Sequence, residues 1–125
     1  MPISKAADFY RTVFDHSREA SLFTAADGRI FKANAAACAM LRRTEEDICA
    51  IGRQGLVDPA SPGLANLLAL RARTGQVQGE LTFLRGDGTR FVAEFRSASL
   101  FDNENESEVR NIVTLRDLTQ HRATE

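Results

Sequence analysis

The sequence predicts an α+β domain in which short helices cover one face of an antiparallel sheet. Three observations predict it. Extended, alternating runs lie toward both ends of the chain, and the tight-turn residues Asp27-Gly28 and Gly86-Asp87-Gly88 divide them into hairpins. The middle of the chain instead carries helix formers and leucines punctuated by glycine and proline. Finally, Phe91, Ala93 and Phe95 alternate with Val92, Glu94 and Arg96, so one face of that strand is apolar and the other mixed, as in a sheet covered on one side.

Each element has a local reason. Residues 4–16 open with Ser4 as a helix N-cap, and Phe9, Tyr10, Val13 and Phe14 recur at helical spacing, giving an amphipathic helix whose aromatic stripe needs cover. EASLFTAA and RIFKAN form the first hairpin around Asp27-Gly28. Asn34 stands as the N-cap of AAACAMLRRT, residues 35–44. Thr44 with Glu45, Glu46 and Asp47 resembles a capping box and starts a second helix through Ile51, which Gly52 ends. GRQGLVDPASPG reads as a loop with at most one helical turn. LANLLALRAR then forms a helix with Leu64, Leu67, Leu68 and Arg71 on one side, closed by Gly75. QVQGELTFLR, TRFVAEFRSASLF and EVRNIVTLRDL supply three strands, the last after the polar loop DNENES.

The totals bound the function. A chain of 125 residues fits one core. With 16 basic and 17 acidic side chains the formal charge is -1, which offers no electrostatic basis for holding nucleic acid or an anionic membrane surface. Cys38 and Cys49 form no CxxC pair, so neither a zinc knuckle nor a disulfide framework is indicated, and a reducing cytoplasm is the natural setting. No run approaches the roughly 18 apolar residues of a membrane span, and MPISKAADFYR lacks a signal-peptide core.

The motifs, taken in order, resemble the PAS domain, the sensory-box module of bacterial-type signalling proteins. Asp27-Gly28-Arg29-Ile30 with Asn34 looks like its first hairpin and the asparagine that begins the next helix. Thr44 to Ile48 followed by Gly52-Arg53 resembles the short helix and glycine that come after. Glu80 to Arg85 with Asp87-Gly88 is similar to the third strand and its turn, and Arg116-Asp117-Leu118-Thr119 resembles the Asp-Ile-Thr signature that ends the last strand. The resemblance runs from about Phe9 to Arg122; Ala25 and Arg42-Arg43 depart from the usual pattern and bear on subfamily rather than fold. It implies a five-stranded sheet in the order 2-1-5-4-3 with helices cupping a cavity. It also divides the chain into an N-terminal cap helix over 1–18, a sensor core over 19–119 and, over 120–125, the start of a connector to an output domain.

Cofactor chemistry finds little support in the residues. A cysteinyl-flavin adduct is disfavoured because the stretch GLVDPASP lacks the cysteine of light-sensing relatives, while Cys38 and Cys49 sit on earlier helices as small core residues. Haem is disfavoured because the helix from Leu64 to Arg73 carries no histidine to ligate iron; His16 and His121 read as exposed structural residues. Gly52-Arg-Gln-Gly55 lacks the Lys-Ser/Thr of a phosphate loop, and the acids Glu45 to Asp47 are explained by capping and the helix dipole. The domain is therefore read as non-catalytic and without a metal site.

Ligand-cavity candidates are Leu81 and Phe83 from the third strand, Phe91, Ala93, Phe95, Ser97 and Ser99 from the fourth, and Leu68 and Arg71 from the covering helix. Two readings stand: these residues line a pocket with two convergent hydroxyls, or the aromatics fill the core and the serines bond to backbone. Arg71 and Arg73 either reach an anionic ligand or form surface salt bridges. Arg116, Asp117 and Thr119 are signal-relay candidates, through the local hydrogen bonds that short acids and hydroxyls make. Asp27, Gly28, Asn34, Gly52, Asp87 and Gly88 are turn and cap residues. Two functions follow: a sensor that binds a small molecule and biases a linked histidine kinase or diguanylate cyclase, or a ligand-free module that forms a homodimer through the helix bearing Phe9, Tyr10, Val13 and Phe14.

Overall fold

The computed structural model describes residues 12–25, 27–100 and 110–119. Five strands, β1 (Ala20–Ala25), β2 (Ile30–Ala33), β3 (Gln76–Leu84), β4 (Arg90–Leu100) and β5 (Arg110–Asp117), form one antiparallel sheet in the order β2-β1-β5-β4-β3. The helices α1 (Ala35–Leu41), α2 (Glu45–Leu56) and α3 (Leu64–Thr74) lie between β2 and β3 in the chain. Because β2 and β3 are the two edges, that helical segment has to cross the whole sheet, and in crossing it covers one face. The α+β architecture and strand order therefore match the expectation.

The side-chain alternation decides which face is covered. Leu22, Leu81, Phe83, Phe91, Ala93, Phe95, Val113 and Leu115 are buried together with Leu41, Ile48 and Leu56 from the helices, forming one apolar core. Residues 12–16, the described part of the expected N-terminal helix, are helical; Phe14 is buried and stacks on Phe23 with ring centroids 4.5 Å apart. Phe23 points away from the core by the period of two, so this segment packs on the outer face. Phe9 and Tyr10 lie outside the described residues.

One boundary differs from the sequence reading. The first covering helix stops at Leu41 rather than running to Thr44, because Arg42 turns left-handed (φ 52°) and Thr44 takes the extended backbone of the next N-cap. Thr44 Oγ1 accepts from Asp47 N at 3.1 Å, while Glu45 reaches outside the helix to accept from Ala33 N at 3.0 Å. Gly52 breaks the second helix as expected, with φ 64° and ψ -171°, a conformation essentially confined to glycine. The chain then makes one further helical turn to Leu56.

The stretch after Leu56 has a structural task. Val57 bridges to Phe83, Asp58 N donates to Thr82 O at 2.9 Å, and Thr82 N donates to Ser61 Oγ at 3.0 Å. The loop thus covers part of the open edge of β3, whose unpaired amides would otherwise be available to another chain.

Candidate functional site

A small cavity of about 30 Å³ lies between the sheet and the helices. Its sheet side is Leu22 and Thr24 of β1, Ile30 of β2, Leu81 and Phe83 of β3, Phe95 of β4 and Val113 of β5. Arg53, Leu56 and Val57 at the end of α2, Arg71 of α3 and the turn residue Gly28 close it. The volume exceeds the roughly 10–15 Å³ that admits one water and is far below the roughly 300 Å³ of drug-sized pockets.

Backbone geometry brings the turn and the helix kink together. Arg53 N donates to Gly28 O at 2.9 Å. A Cβ at Gly28 would meet Arg53 Cζ at 3.0 Å, so the guanidinium lies against the bare α-carbon. Asp27, exposed and paired with Arg29 at 3.0 Å, sits below the usual carboxylate range, first through its hydrogen bond from the Arg29 backbone. Burial draws the Arg53 pKa down, and the charge of Asp27 opposes that shift.

Arg71 was expected in a surface salt bridge or on an anionic ligand. It is buried, with 6% of its surface exposed, and Nη1 donates to Ser97 Oγ at 3.0 Å. Among the described residues neither Arg71 nor Arg53 has a carboxylate at ion-pair distance. The Arg71 pKa is lowered by burial first and by the neighbouring Arg53 charge second. The surface reading is corrected: α3 faces the sheet through this side chain because Leu64 and Leu67 on the same stripe pack against the core.

The remaining cavity candidates separate. Leu81, Phe83 and Phe95 line the space with Arg71. Ser97 stands behind Arg71 as its acceptor, and Ser99 Oγ donates to Asn111 Oδ1 at 3.1 Å, so both hydroxyls bond to side chains. Phe91 and Ala93 are buried away from the cavity; Phe91 packs on Phe83 with centroids 5.9 Å apart. Leu68 is half-buried on α3 and does not line the space, and Arg73 is exposed. Arg53, Thr24 and Val113 went unnoticed as lining residues in the sequence. For Arg53 the available signal was its place directly after the helix-breaking Gly52.

At the exit of the sheet, Thr119 N donates to Asp117 Oδ1 at 2.8 Å, a local bond of the expected kind. The other oxygen forms an ion pair with Arg85 Nη2, a long-range contact that sequence spacing did not indicate. Arg85 also donates from Nε to Met40 O at 3.1 Å, and its guanidinium lies 3.9 Å from the Phe91 centroid. Leu118 is buried and its N donates to Val92 O at 3.0 Å. The end of β5 is thereby tied to β4, the end of β3 and the last turn of α1, while Arg116 is exposed.

A flavin adduct and a haem both fail the fit. Among the described residues no cysteine or histidine lines the cavity. Cys38 and Cys49 are half-buried on α1 and α2, and burial, followed by the Glu45 charge, pushes both thiol pKa values up, away from thiolate chemistry. His16 is exposed and its Nδ1 lies 3.0 Å from Thr12 O. No cluster of potential metal ligands occurs among the described residues.

A family model described as a PAS domain matches residues 18–120. The chain belongs to the PAS domain family. Solved PAS structures share this fold. A PAS domain from Colwellia psychrerythraea superposes with a TM-score of 0.79 at 18% identity, covering 92% of this chain and 98% of its own. A domain of the sensory box sensor histidine kinase/response regulator from Geobacter sulfurreducens gives 0.75 at 21% identity, covering 92% and 96%. The PAS domain of a LuxR-family transcriptional regulator from Burkholderia thailandensis, in complex with ethanol, gives 0.71 at 18% identity, covering 88% and 97%. Comparison with curated proteins yields no significant match. Among the described residues of this PAS domain no helix is long and apolar enough to cross a membrane.

Proposed function

We propose that this PAS domain is the sensory part of a cytoplasmic signalling protein. It binds a small molecule in the cavity beside Arg71 and passes a conformational bias through β5 to a covalently linked output module, such as a histidine kinase or a diguanylate cyclase. The observation that carries the reading is the cavity itself, walled by apolar side chains and faced by a buried arginine. A PAS domain of similar fold in complex with ethanol supports a guest of small size.

The relay has a short physical route. Val113 lines the cavity and lies in β5 four residues before Asp117, and Ser97, which holds Arg71, pairs directly with Val113. A ligand biases the exit only if it binds one arrangement of Arg71, β5 and the connector better than another. In this proposal 1–18 form the cap, 19–119 the non-catalytic core and 120–125 the start of the connector, with Arg116, Asp117 and Thr119 governing the exit angle.

A second reading rests on a different surface. An apolar cleft on the outer face is lined by Val13, Phe14, Phe23 and Ile112, and it suits a homodimer contact. Native mass spectrometry with a metabolite thermal-shift screen separates the two. A co-purifying mass or a saturable stabilisation supports ligand sensing; a ligand-free dimer indifferent to every metabolite leaves the interaction module.

A further inference from the structure

Resting on the ligand-sensing reading, we propose that the cavity takes a small monocarboxylate, its charge held between Arg71 and Arg53 and its short apolar tail against Leu22, Leu81 and Phe95.

The argument begins with uncompensated charge. Buried cations are ordinarily paired, because withdrawing a charge from water is costly unless an opposite charge replaces the lost solvation. Arg71 is buried, yet its Nη1 donates to the neutral hydroxyl of Ser97. Arg53, the second guanidinium at the same cavity, adds like charge, and among the described residues no carboxylate lies at ion-pair distance from either. Asp27 acts on Arg53 from the surface, where it is already paired with Arg29. An anion between the two guanidinium groups would offset both desolvation and mutual repulsion.

The rest of the lining selects the class. A phosphate presents oxygens on every side and needs donors around it, whereas a carboxylate presents one planar edge that a guanidinium matches with parallel hydrogen bonds. Beyond the two arginines, Thr24 supplies the one hydroxyl side chain of the lining, and the remaining walls are aliphatic or aromatic. A charged edge with an apolar remainder fits that division. A cavity of about 30 Å³, against the roughly 10–15 Å³ that one water needs, sets the scale at the smallest carboxylates, formate and acetate. Arg53 also borders an outer groove with Asp27, Arg29 and Cys49, so it lines both the cavity and the surface groove beside it.

The test is a titration of the ¹⁵N-labelled chain with sodium formate and sodium acetate, against ethanol and acetamide, at constant ionic strength set with sodium chloride. The expected result is saturable movement of the Leu81, Phe95 and Val113 amides with the carboxylates. Arg53→Gln should weaken that affinity about tenfold or more, the scale of one lost charge-assisted hydrogen bond, and leave the response to ethanol unchanged. Arg71→Met should abolish carboxylate binding; if that variant fails to fold, Arg53→Gln decides alone. Neutral molecules binding while carboxylates are silent would overturn the anion assignment and leave ligand sensing standing. Silence of both classes at the cavity amides would overturn both, and carboxylate binding unaffected by Arg53→Gln would overturn the grip.

Discussion

Asn34 shows how much one side chain can organise. It is 1% exposed, and its Oδ1 accepts from Ala37 N and Ser21 N at 2.9 and 3.0 Å while Nδ2 donates to Phe14 O and Glu19 O at 3.0 and 2.8 Å. A helix start, a strand start and the N-terminal segment meet there, and both ends of the amide are used. Asp87 is an exposed counterpart, holding its turn by accepting from the Thr89 hydroxyl and amide and pairing with Arg42. Thr89 first, then Arg42, lowers its pKa from 3.8 to about 2. The folded value lies below the unfolded one, so its contribution is present above pH 3.8 and is lost as pH falls from there toward 2. Urea unfolding of wild type and Asp87→Asn should show the largest gap at about pH 6 and a closing gap near about pH 2; a constant gap would contradict the assignment. For Asp117, paired with Arg85 in a largely buried site, a double-mutant cycle with Asp117→Ala and Arg85→Met should return a coupling of roughly 0.5–3 kcal/mol. In a full-length protein Asp117→Ala should also uncouple output from stimulus while the domain still folds; unaltered signalling would remove the residue from the relay.

At the scale of elements, the decisive features are close approaches between backbones. Gly86 N donates to Leu41 O at 2.9 Å, and a Cβ on Gly86 would stand 2.2 Å from Arg42 O. The β3–β4 turn is therefore docked on the end of α1, with Arg85 and Asp87 reaching out on either side of it. Gly86→Ala should destabilise by about 1–3 kcal/mol, since the obstacle is backbone that cannot swing aside. Gly88 is the useful contrast: φ is 89° but nothing lies within 4 Å of its Cβ position, so Gly88→Ala should lose only the roughly 1–2 kcal/mol of left-handed strain. A Gly86→Ala thermal midpoint equal to that of wild type would show that the docking contributes nothing. The kink at Gly52 belongs to the same class of feature, because it turns Arg53 toward the cavity while the helix start at Thr44 stays in place.

The whole molecule presents two unlike faces. The helix-covered face encloses the core and the cavity; the outer face is covered in part by residues 12–16 and leaves Val13 53% exposed beside Phe23 and Ile112. If that surface joins two copies, the chain should sediment as a dimer and Val13→Glu, which places a charge in the seam, should shift it to monomer with an unchanged circular dichroism spectrum. Monomeric wild type at its highest attainable concentration would exclude this surface as the contact.

Local physical chemistry makes most of the scaffold legible in the sequence. Asp27-Gly28 and Asp87-Gly88 close turns wherever they stand, Asn34 and Thr44 cap helices through bonds spanning three residues, and the alternation of Phe91, Ala93 and Phe95 sets the buried face of β4. The motif order, from the first hairpin to Arg116-Asp117-Leu118-Thr119, extended this to the family and strand order. The site was less legible, for a reason of distance along the chain. Arg71 and Ser97 are 26 residues apart, and Arg85 and Asp117 are 32 apart. An arginine pattern alone cannot separate a solvated helix face from a buried one. Whether Arg71 meets water, an acid or a cavity depends on how α3 lies across the sheet, and the approach of Arg53 depends on a kink docking against a turn that begins 25 residues earlier. Turns, caps and face alternation are short-range and so written in the sequence; the pairing of two arginines across a cavity arises when the chain closes on itself.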